Sequence, residues 1–237
     1  MTSRVHPTVL LFDIDGTLVT TSGCGRRALE RAFEARYGRS AGLRDVGFDG
    51  MTDRGIVRAA LRALGEPADG PGADAAIDTL LGDYVPLLEQ EIAATSDFRL
   101  HRGVEEVLEA TRARAGVAVG LGTGNIRAGA RAKLAPLDVL HHFAFGGFGC
   151  DHEDRDVILR LGAERGAATL GRHARSCRVV VIGDTPRDVS AAHAIGAEAI
   201  GIGSARFTAE ELLASGASRA FASFAESGVV GALLGKP

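Results

Sequence analysis

Short apolar runs, each followed by a small or acidic residue, recur along the chain. They predict β-strands over residues 8–12, 117–121, 179–182 and 197–202. These runs are continuously apolar instead of alternating with polar residues, which is typical of strands buried on both faces of a parallel sheet. We therefore expect a sheet that other elements cover on both sides.

Between these runs, apolar residues recur at helical spacing. The spacing predicts helices over residues 103–115, 156–165 and 186–195. The last of these follows its strand directly, with Thr185 as the expected N-cap and Pro186 at the first helical position. This alternation of strand and helix predicts an α/β fold with a Rossmann-like parallel sheet as its core.

The segment at 20–101 interrupts the alternation, because no comparable apolar run occurs in it. Its apolar residues recur at helical spacing in three places, namely 28–37, 56–64 and 77–92. The Gly- and Pro-rich stretch 65–72 predicts an exposed connection between two of these helices. We expect a helical cap at 20–101, inserted into a core formed by 1–19 and 102–237.

Composition narrows the class of protein. A hydrophobic fraction of 46% and a net charge of −3 are typical of a globular chain. Because Lys and Arg are not clustered, we expect neither a nucleic-acid nor a membrane partner. The apolar run near the N-terminus is too short for a signal or membrane segment. We expect a cytoplasmic protein that is a monomer or a homodimer.

Polar residues follow three of the predicted strands. Asp13, Thr123 and Asp184 each come at or just after the end of an apolar run. Ligands of an open parallel sheet bind beyond the carboxyl ends of its strands. The sequence therefore predicts that these three residues, from distant segments, meet in one crevice.

The strongest local pattern is LFDIDGTL, in which Asp13 and Asp15 flank one residue immediately after a strand. The first carboxylate can attack phosphorus, while the second can protonate the leaving oxygen and later activate water. Gly16 allows a tight chain reversal, and Thr17 offers a hydroxyl. The pattern indicates phosphoryl transfer, whereas an isolated acidic pair after a strand indicates only a turn.

With these residues the chain resembles the haloacid dehalogenase superfamily, which is dominated by phosphatases, over nearly its whole length. The DxDGT motif begins at Asp13, the second motif corresponds to Thr123 in GLGTGN, and the acidic fourth motif corresponds to GDTPRD. Phosphoglycolate phosphatases and β-phosphoglucomutases are the branches that it resembles. The resemblance implies an aspartyl-phosphate at Asp13, a small-molecule phosphate ester as substrate, and a helical cap over the site.

The acidic residues also predict a metal. Asp184 can join Asp13 in holding a hard cation, and Mg²⁺ prefers few carboxylates beside water and phosphate oxygens. The resemblance adds the backbone carbonyl of Asp15 as a ligand. Asp188, four residues after Asp184, is expected to support the metal shell or a basic partner.

Five residues are candidates for holding the phosphate or the substrate. Thr123 is expected to donate its hydroxyl to a phosphate oxygen, with the backbone amides of Gly124 and Asn125 at the start of a helix. In FDGMTDRGI, Thr52 and Arg54 are candidate substrate contacts within the cap. Simple capping of the helix that begins near Arg54 is an equally good interpretation of this segment.

The third motif of the family, a lysine followed by proline, does not occur in the expected region. Arg155 in CDHEDRDVI is the better positional match, because it begins the helix that precedes the GDTPRD strand. Lys133, the only lysine between the second and fourth motifs, is the competing candidate for a phosphate contact. The alternative to a phosphate contact is a solvated position on a helix, and we favour this alternative for Lys133.

Three alternatives to a phosphatase stay open. A phosphomutase shares every catalytic residue and differs mainly in its cap. A 2-haloacid dehalogenase uses the same nucleophile on carbon, but it has no need of a second acid such as Asp15. An inactive relative that merely binds phosphate is consistent with the missing lysine, whereas a phospho-accepting receiver domain lacks such an insertion.

Overall fold

A computed structural model of the chain describes residues 6–235, and it has eight strands in two sheets. The strands are β1 (Thr8–Phe12), β2 (Val19–Thr20), β3 (Arg99–Leu100), β4 (Val117–Gly122), β5 (Phe145–Gly147), β6 (Arg178–Gly183), β7 (Glu198–Ile202) and β8 (Arg219–Phe221). The large sheet has the order β5-β4-β1-β6-β7-β8 and all its strands are parallel. The predicted α/β fold is confirmed.

Nine α-helices accompany these strands within the described residues. They are α1 (Cys24–Tyr37), α2 (Asp53–Leu64), α3 (Ala73–Ala94), α4 (Val104–Arg112), α5 (Arg127–Leu134), α6 (Arg155–Thr169), α7 (Pro186–Ala194), α8 (Ala209–Ala214) and α9 (Val229–Leu233). In the same part of the chain, no helix is long and apolar enough to cross a lipid bilayer. The expected absence of an N-terminal membrane segment concerns a stretch whose first five residues lie outside the described part.

Strand β1 lies at the centre of the large sheet, and each of its residues is buried. Its last residue, Phe12, is level with Leu121 in β4 and Ile182 in β6. Two hydrophobic clusters, one on each face of the sheet, bury the side chains that alternate along β1. Because the three strands run in parallel and in register, the residues that follow them meet at one edge.

Helices α1, α2 and α3 lie between β2 and β3, which pair antiparallel where the chain leaves and re-enters the core. The three helices bury their apolar sides in a shared cluster that includes Leu29, Phe33, Leu61 and Leu80. Amphipathic helices acquire most of their stability from such packing. The division of the chain at residues 20 and 101 stays a prediction, and the β2–β3 pair lies at both positions.

Two elements near the site were not predicted from the apolar pattern. Strand β5 has only three residues and two of them are glycines, while α5 buries mainly Gly and Ala on its inner face. A methyl group on Gly147 would overlap the main chain of Ile158 in α6. Close packing of main chain, not large apolar side chains, therefore defines these elements.

Replacing Gly147 with Ala should lower the free energy of unfolding by about 1–3 kcal/mol, because the added methyl forces β5 and α6 apart. Gly82→Ala is the matched control, since Gly82 lies on the exposed side of α3 with nothing near the added methyl. The control should gain up to about 1 kcal/mol, because alanine favours a helix. Urea unfolding compares the three proteins, and an unchanged Gly147→Ala variant would contradict this account of the contact.

Candidate active site

Three acidic side chains meet at the carboxyl edge of the sheet. Asp13 follows β1, Asp184 follows β6, and Asp188 lies in the first turn of α7. Each of them offers a carboxylate oxygen, and these oxygens lie within 4.8 Å of one another. All three residues are buried, so their charges repel one another with little screening by solvent.

The turn after β1 packs directly against Asp184. Gly16 has a positive φ of 80°, and a methyl group at this position would overlap the Asp184 carboxylate. Thr17 donates its hydroxyl to Asp184 Oδ1 at 3.0 Å. The glycine is therefore required twice, once for the backbone conformation and once for the space that the carboxylate fills.

Arg155 bridges two of the acidic residues. Its Nη2 atom lies 3.1 Å from Asp13 Oδ2 and also pairs with Asp188 Oδ1. The other oxygen of Asp188 accepts from the hydroxyl and the amide of Thr185, which completes a capping box at the start of α7. The predicted basic partner of Asp188 is thus Arg155, and both oxygens of Asp188 are already engaged.

Lys133 pairs with the remaining acid of the DxD motif. Its Nζ atom lies 2.7 Å from both carboxylate oxygens of Asp15 and 2.6 Å from Asn125 Oδ1. The favoured solvated position of Lys133 is wrong, because the residue is only 3% exposed. The inner face of α5 carries Lys133 towards the site, where Asp15 compensates its charge.

Thr123 and Asn125 belong to the same network. Thr123 Oγ1 accepts from the amide of Asn125 at 3.2 Å and from its side-chain Nδ2 at 2.9 Å, and Nδ2 also donates to Asp15 at 2.7 Å. One of the two amides predicted for phosphate, that of Asn125, is therefore already bonded. Within residues 6–235, neither the hydroxyl proton of Thr123 nor the amide of Gly124 has an acceptor.

Burial and charge shift the pKa values of these acids in opposite directions. Burial raises the pKa of Asp13 to about 6 against the opposing effect of Arg155. Burial, together with repulsion from Asp188 and Asp13, raises the pKa of Asp184 to about 8. Burial also acts to raise the pKa of Asp15, but Lys133 and Asn125 outweigh it, so this pKa lies below its usual value.

The donor set at this edge fits a hard divalent cation. Asp184 has no cationic side chain within 4.0 Å in the described part of the chain, although it is buried beside Asp13. Buried carboxylates without a counter-charge are costly, and Mg²⁺ takes such oxygen ligands. Asp188 meets the spacing as well, but Arg155 and the capping box occupy its oxygens. Asp13 and Asp184 are therefore the better candidates.

A cavity of about 590 Å³ opens between the edge of the sheet and the cap segment. Asp13, Asp15 and Lys133 line it from the core side. From the cap segment, the lining includes Asp53 at the start of α2 and Tyr84 in α3. The cavity thus joins the acidic edge to polar and aromatic side chains of the cap segment.

The cap residues predicted from sequence lie elsewhere. Thr52 is the N-cap of α2 and accepts from the amide of Gly55 at 3.0 Å. Arg54 pairs with Asp74 and Asp78, and neither Thr52 nor Arg54 lines the cavity. The capping interpretation of this segment therefore holds for Thr52, and Asp53 lies in the cavity instead.

Asp53 joins the cap segment to the core. Its amide donates to the carbonyl of Gly124 at 2.8 Å, and its Oδ2 accepts from the amide of Ile126 at 2.8 Å. A methyl group on Gly124 would overlap the main chain at Met51. In the sequence, Asp53 was marked only by its position directly after the expected cap residue. Tyr84 was marked only as an aromatic residue on a predicted helix.

Asp53→Asn should remove part of the pH dependence of stability. Burial raises the pKa of Asp53 to about 6, whereas an unfolded Asp titrates near about 4. The folded protein then binds more protons than the unfolded chain, so the contribution of Asp53 to stability falls as the pH rises through this window. Between about pH 4 and about pH 7, the variant should gain roughly 2–3 kcal/mol relative to the wild type.

The control for this measurement is Asp45→Asn, which changes an exposed side chain of the same segment. Its free energy of unfolding should differ from that of the wild type by the same small amount at both pH values. Chemical denaturation at each pH gives the two differences. A difference for Asp53→Asn that does not change with pH contradicts the burial of this charge.

Solved structures share this fold. CbbY from Rhodobacter sphaeroides in complex with phosphate is 20% identical, with 94% of this chain and 96% of that chain covered and a TM-score of 0.66. A CbbY mutant in complex with xylulose-(1,5)bisphosphate is 21% identical over 94% and 96%, with a TM-score of 0.67. A predicted phosphoglycolate phosphatase from Haemophilus somnus 129pt is 17% identical over 95% and 97%, with a TM-score of 0.65. No curated protein sequence matches the chain.

The sequence of the chain matches the model of a known protein family. The model of the haloacid dehalogenase-like hydrolase family matches residues 7–196, which include the DxDGT turn, Thr123 and the GDTPRD segment. This range covers well over half of the chain and contains every acidic residue of the edge described above. The chain therefore belongs to the haloacid dehalogenase-like hydrolases.

Proposed function

We propose that the protein is a Mg²⁺-dependent phosphatase that hydrolyses a small phosphomonoester through an aspartyl-phosphate. The observation that carries the proposal is that each acid of the DxD motif contacts a different cationic side chain. Asp13 contacts Arg155, and Asp15 contacts Lys133. Two carboxylates with such different surroundings suit two different roles.

In the first step, a carboxylate oxygen of Asp13 forms a bond to phosphorus as the ester P–O bond breaks. Asp15 gives its proton to the leaving oxygen. In the second step, Asp15 takes a proton from water as that water attacks phosphorus, which releases phosphate and restores the Asp13 carboxylate. Without substrate, Lys133 holds Asp15 ionised, and a bound phosphate that competes for Lys133 would raise the proton affinity of Asp15.

We infer that Asp13 and Asp184 hold the metal, with the backbone carbonyl of Asp15 that the resemblance implies. When bound, Mg²⁺ would supply positive charge to the transferring phosphoryl group. The raised pKa values of Asp13 and Asp184 are consistent with this assignment, because burial and neighbouring carboxylates disfavour the negative charge of both residues and a bound cation would favour it. Asp188 acts instead by holding Arg155 in place.

The phosphate group has further donors in this proposal. The hydroxyl of Thr123 has accepted two hydrogen bonds and keeps its own proton to donate. The amide of Gly124 is the other donor, and this glycine lines the cavity. Asn125 contributes by orienting Thr123 and Asp15, because its side-chain amide contacts both of them.

We also propose that residues 20–101 act as a cap that closes over the substrate and excludes bulk water. Three sets of contacts support this role: Arg58 with Glu153, Arg206 with Asp49, and Asp53 with the turn after β4. The Arg206–Asp49 ion pair lies at the cavity with both side chains exposed, so solvent screens it and it opens at little cost. Closing in this way would strengthen the charge interactions around Asp13.

Relatives of known structure support a small phosphate ester as the substrate. CbbY has been crystallised with phosphate and with xylulose-(1,5)bisphosphate, and another relative is described as a predicted phosphoglycolate phosphatase. A phosphomutase would use the same Asp13 and Asp15 but return the phosphoryl group to its product. Release of inorganic phosphate separates the two activities.

Purified protein should hydrolyse p-nitrophenyl phosphate with Mg²⁺, and removal of divalent cations with EDTA should lower the rate at least about 100-fold. Asp13→Asn should lower kcat at least about 1,000-fold, because the amide is a poor nucleophile. Asp184→Asn should weaken Mg²⁺ binding in calorimetry. Asp156→Asn is the control, because Asp156 on α6 is partly exposed and does not line the cavity, and it should leave all three measurements unchanged.

Other outcomes assign the chain differently. Halide release from 2-chloropropionate without phosphate release would indicate a dehalogenase. Isomerised sugar phosphate without net phosphate release would indicate a mutase. Phosphate binding without turnover of any ester would indicate an inactive relative, and each of these results contradicts the phosphatase.

Both cations should be needed for turnover. Arg155→Met and Lys133→Met should each lower kcat/KM about 100-fold or more, because each removes a charge that faces the reacting groups. Arg131→Met is the matched control, since Arg131 is exposed on the same helix as Lys133. If one of the two variants keeps activity near that of the control, the residue that it replaces does not supply the positive charge expected of the third motif.

A further inference from the structure

We infer that Tyr84 and Asp53 recognise hydroxyl groups on the leaving group, so that the substrate is the phosphate ester of an uncharged, hydroxylated molecule such as a sugar or polyol. This inference rests on the proposed phosphatase activity and specifies its substrate class. The two residues lie in the cap segment and line the cavity that contains Asp13 and Asp15. A leaving group bonded to phosphorus at Asp13 would extend past Asp15 towards them.

Tyr84 presents a hydroxyl that has no hydrogen-bond partner in the described part of the chain. The residue is 1% exposed, and its ring lies against Gly129 of α5. Among residues 6–235, no hydrogen-bond donor or acceptor contacts its hydroxyl, although the residue lines the cavity. The hydroxyl oxygen itself is not among the buried unpartnered polar atoms of this part of the chain, so it faces the open space of the cavity. A ligand atom in the cavity would supply a partner.

The space in front of this hydroxyl is shared with Lys133. A methyl group on Gly25 of α1 would lie 3.5 Å from the Tyr84 hydroxyl and 3.8 Å from Lys133 Nζ. Because Lys133 contacts both oxygens of Asp15, the region around Gly25 adjoins the acid that protonates the leaving oxygen. The leaving group therefore meets Tyr84 within a few atoms of the bond that breaks.

Asp53 adds a free acceptor. Its Oδ2 atom accepts from the amide of Ile126, whereas its Oδ1 atom has no hydrogen bond within the described residues. Asp53 is 8% exposed and lines the same cavity. A donor and an acceptor side by side match a hydroxyl group, which both donates and accepts.

The cations of the cavity argue against a carboxylated leaving group. Lys133 and Arg155 contact Asp15 and Asp13, and Arg206 contacts Asp49. Arg26 donates to the carbonyls of residues 43 and 46 and stacks on Phe48 with 3.9 Å to the ring centroid. Three of the four Lys and Arg side chains that line the cavity thus contact a carboxylate already, Arg26 is held by neutral groups, and a second anion would lie near Asp53.

The test compares three classes of ester: ribitol phosphate, butyl phosphate and phosphoglycolate. In the wild type, kcat/KM should be highest for ribitol phosphate. Tyr84→Phe and Asp53→Asn should each lower the ratio of kcat/KM for ribitol phosphate to that for butyl phosphate about tenfold, since the first removes a hydroxyl and the second replaces an acceptor oxygen with an NH₂ group. Tyr37→Phe, which changes the other tyrosine of the chain outside the cavity, should leave this ratio unchanged.

This ratio is unaffected by a general loss of folded protein, because both esters report on the same sample. An unchanged ratio in Tyr84→Phe, or phosphoglycolate as the best ester, overturns the inference while the phosphatase stands. Absence of turnover with all three esters and with p-nitrophenyl phosphate overturns both proposals.

Discussion

Repulsion among buried carboxylates at the edge of the sheet is the constraint on which the arrangement of this protein depends. Asp13 and Asp184 lie close together because the parallel strands β1 and β6 end in register, and the first turn of α7 brings Asp188 within a few ångströms of both. Such a group is stable only if positive charge comes close to it. Arg155 from α6 contacts Asp13 and Asp188, and Lys133 from α5 contacts the neighbouring Asp15.

These two cations tie the local geometry together. Arg155 links the nucleophile candidate to the first turn of α7, and Lys133 links Asp15 to the amide of Asn125 and hence to Thr123. A substrate phosphate would enter between the two pairs and compete for both charges. Binding and the charge state of Asp15 are therefore physically coupled, as expected where opposite charges share a site of low polarity.

The features that local pattern determines were predictable from the sequence. The apolar runs at β1, β4 and β6 predict buried parallel strands, and the rule that ligands bind at the carboxyl ends of such strands brings Asp13, Thr123 and Asp184 together. Arg155 follows from its place before the GDTPRD strand. All of these inferences use spacing along the chain and one general property of sheets.

Residues whose role depends on how helices dock were not predictable in this way. The spacing around Lys133 is the same whether α5 turns it inwards or outwards, and only the packing of α5 against the core and α3 decides that it is buried. No sequence pattern marks Tyr84. The sequence predicted Thr52 and Arg54 as substrate contacts, whereas Asp53 between them is the residue that lines the cavity. The placement of side chains between the cap segment and the core is information that no single segment contains.

Gly25 in α1 bears on which substrates such an enzyme can accept. It lies inside a helix with ordinary backbone geometry, so the main chain itself does not require a glycine there. A side chain at this position would grow into the space between the Tyr84 hydroxyl and Lys133 at normal contact distances. A larger side chain at residue 25 would therefore reduce the space beside Tyr84 and Lys133 without replacing any of the acids or cations of the site.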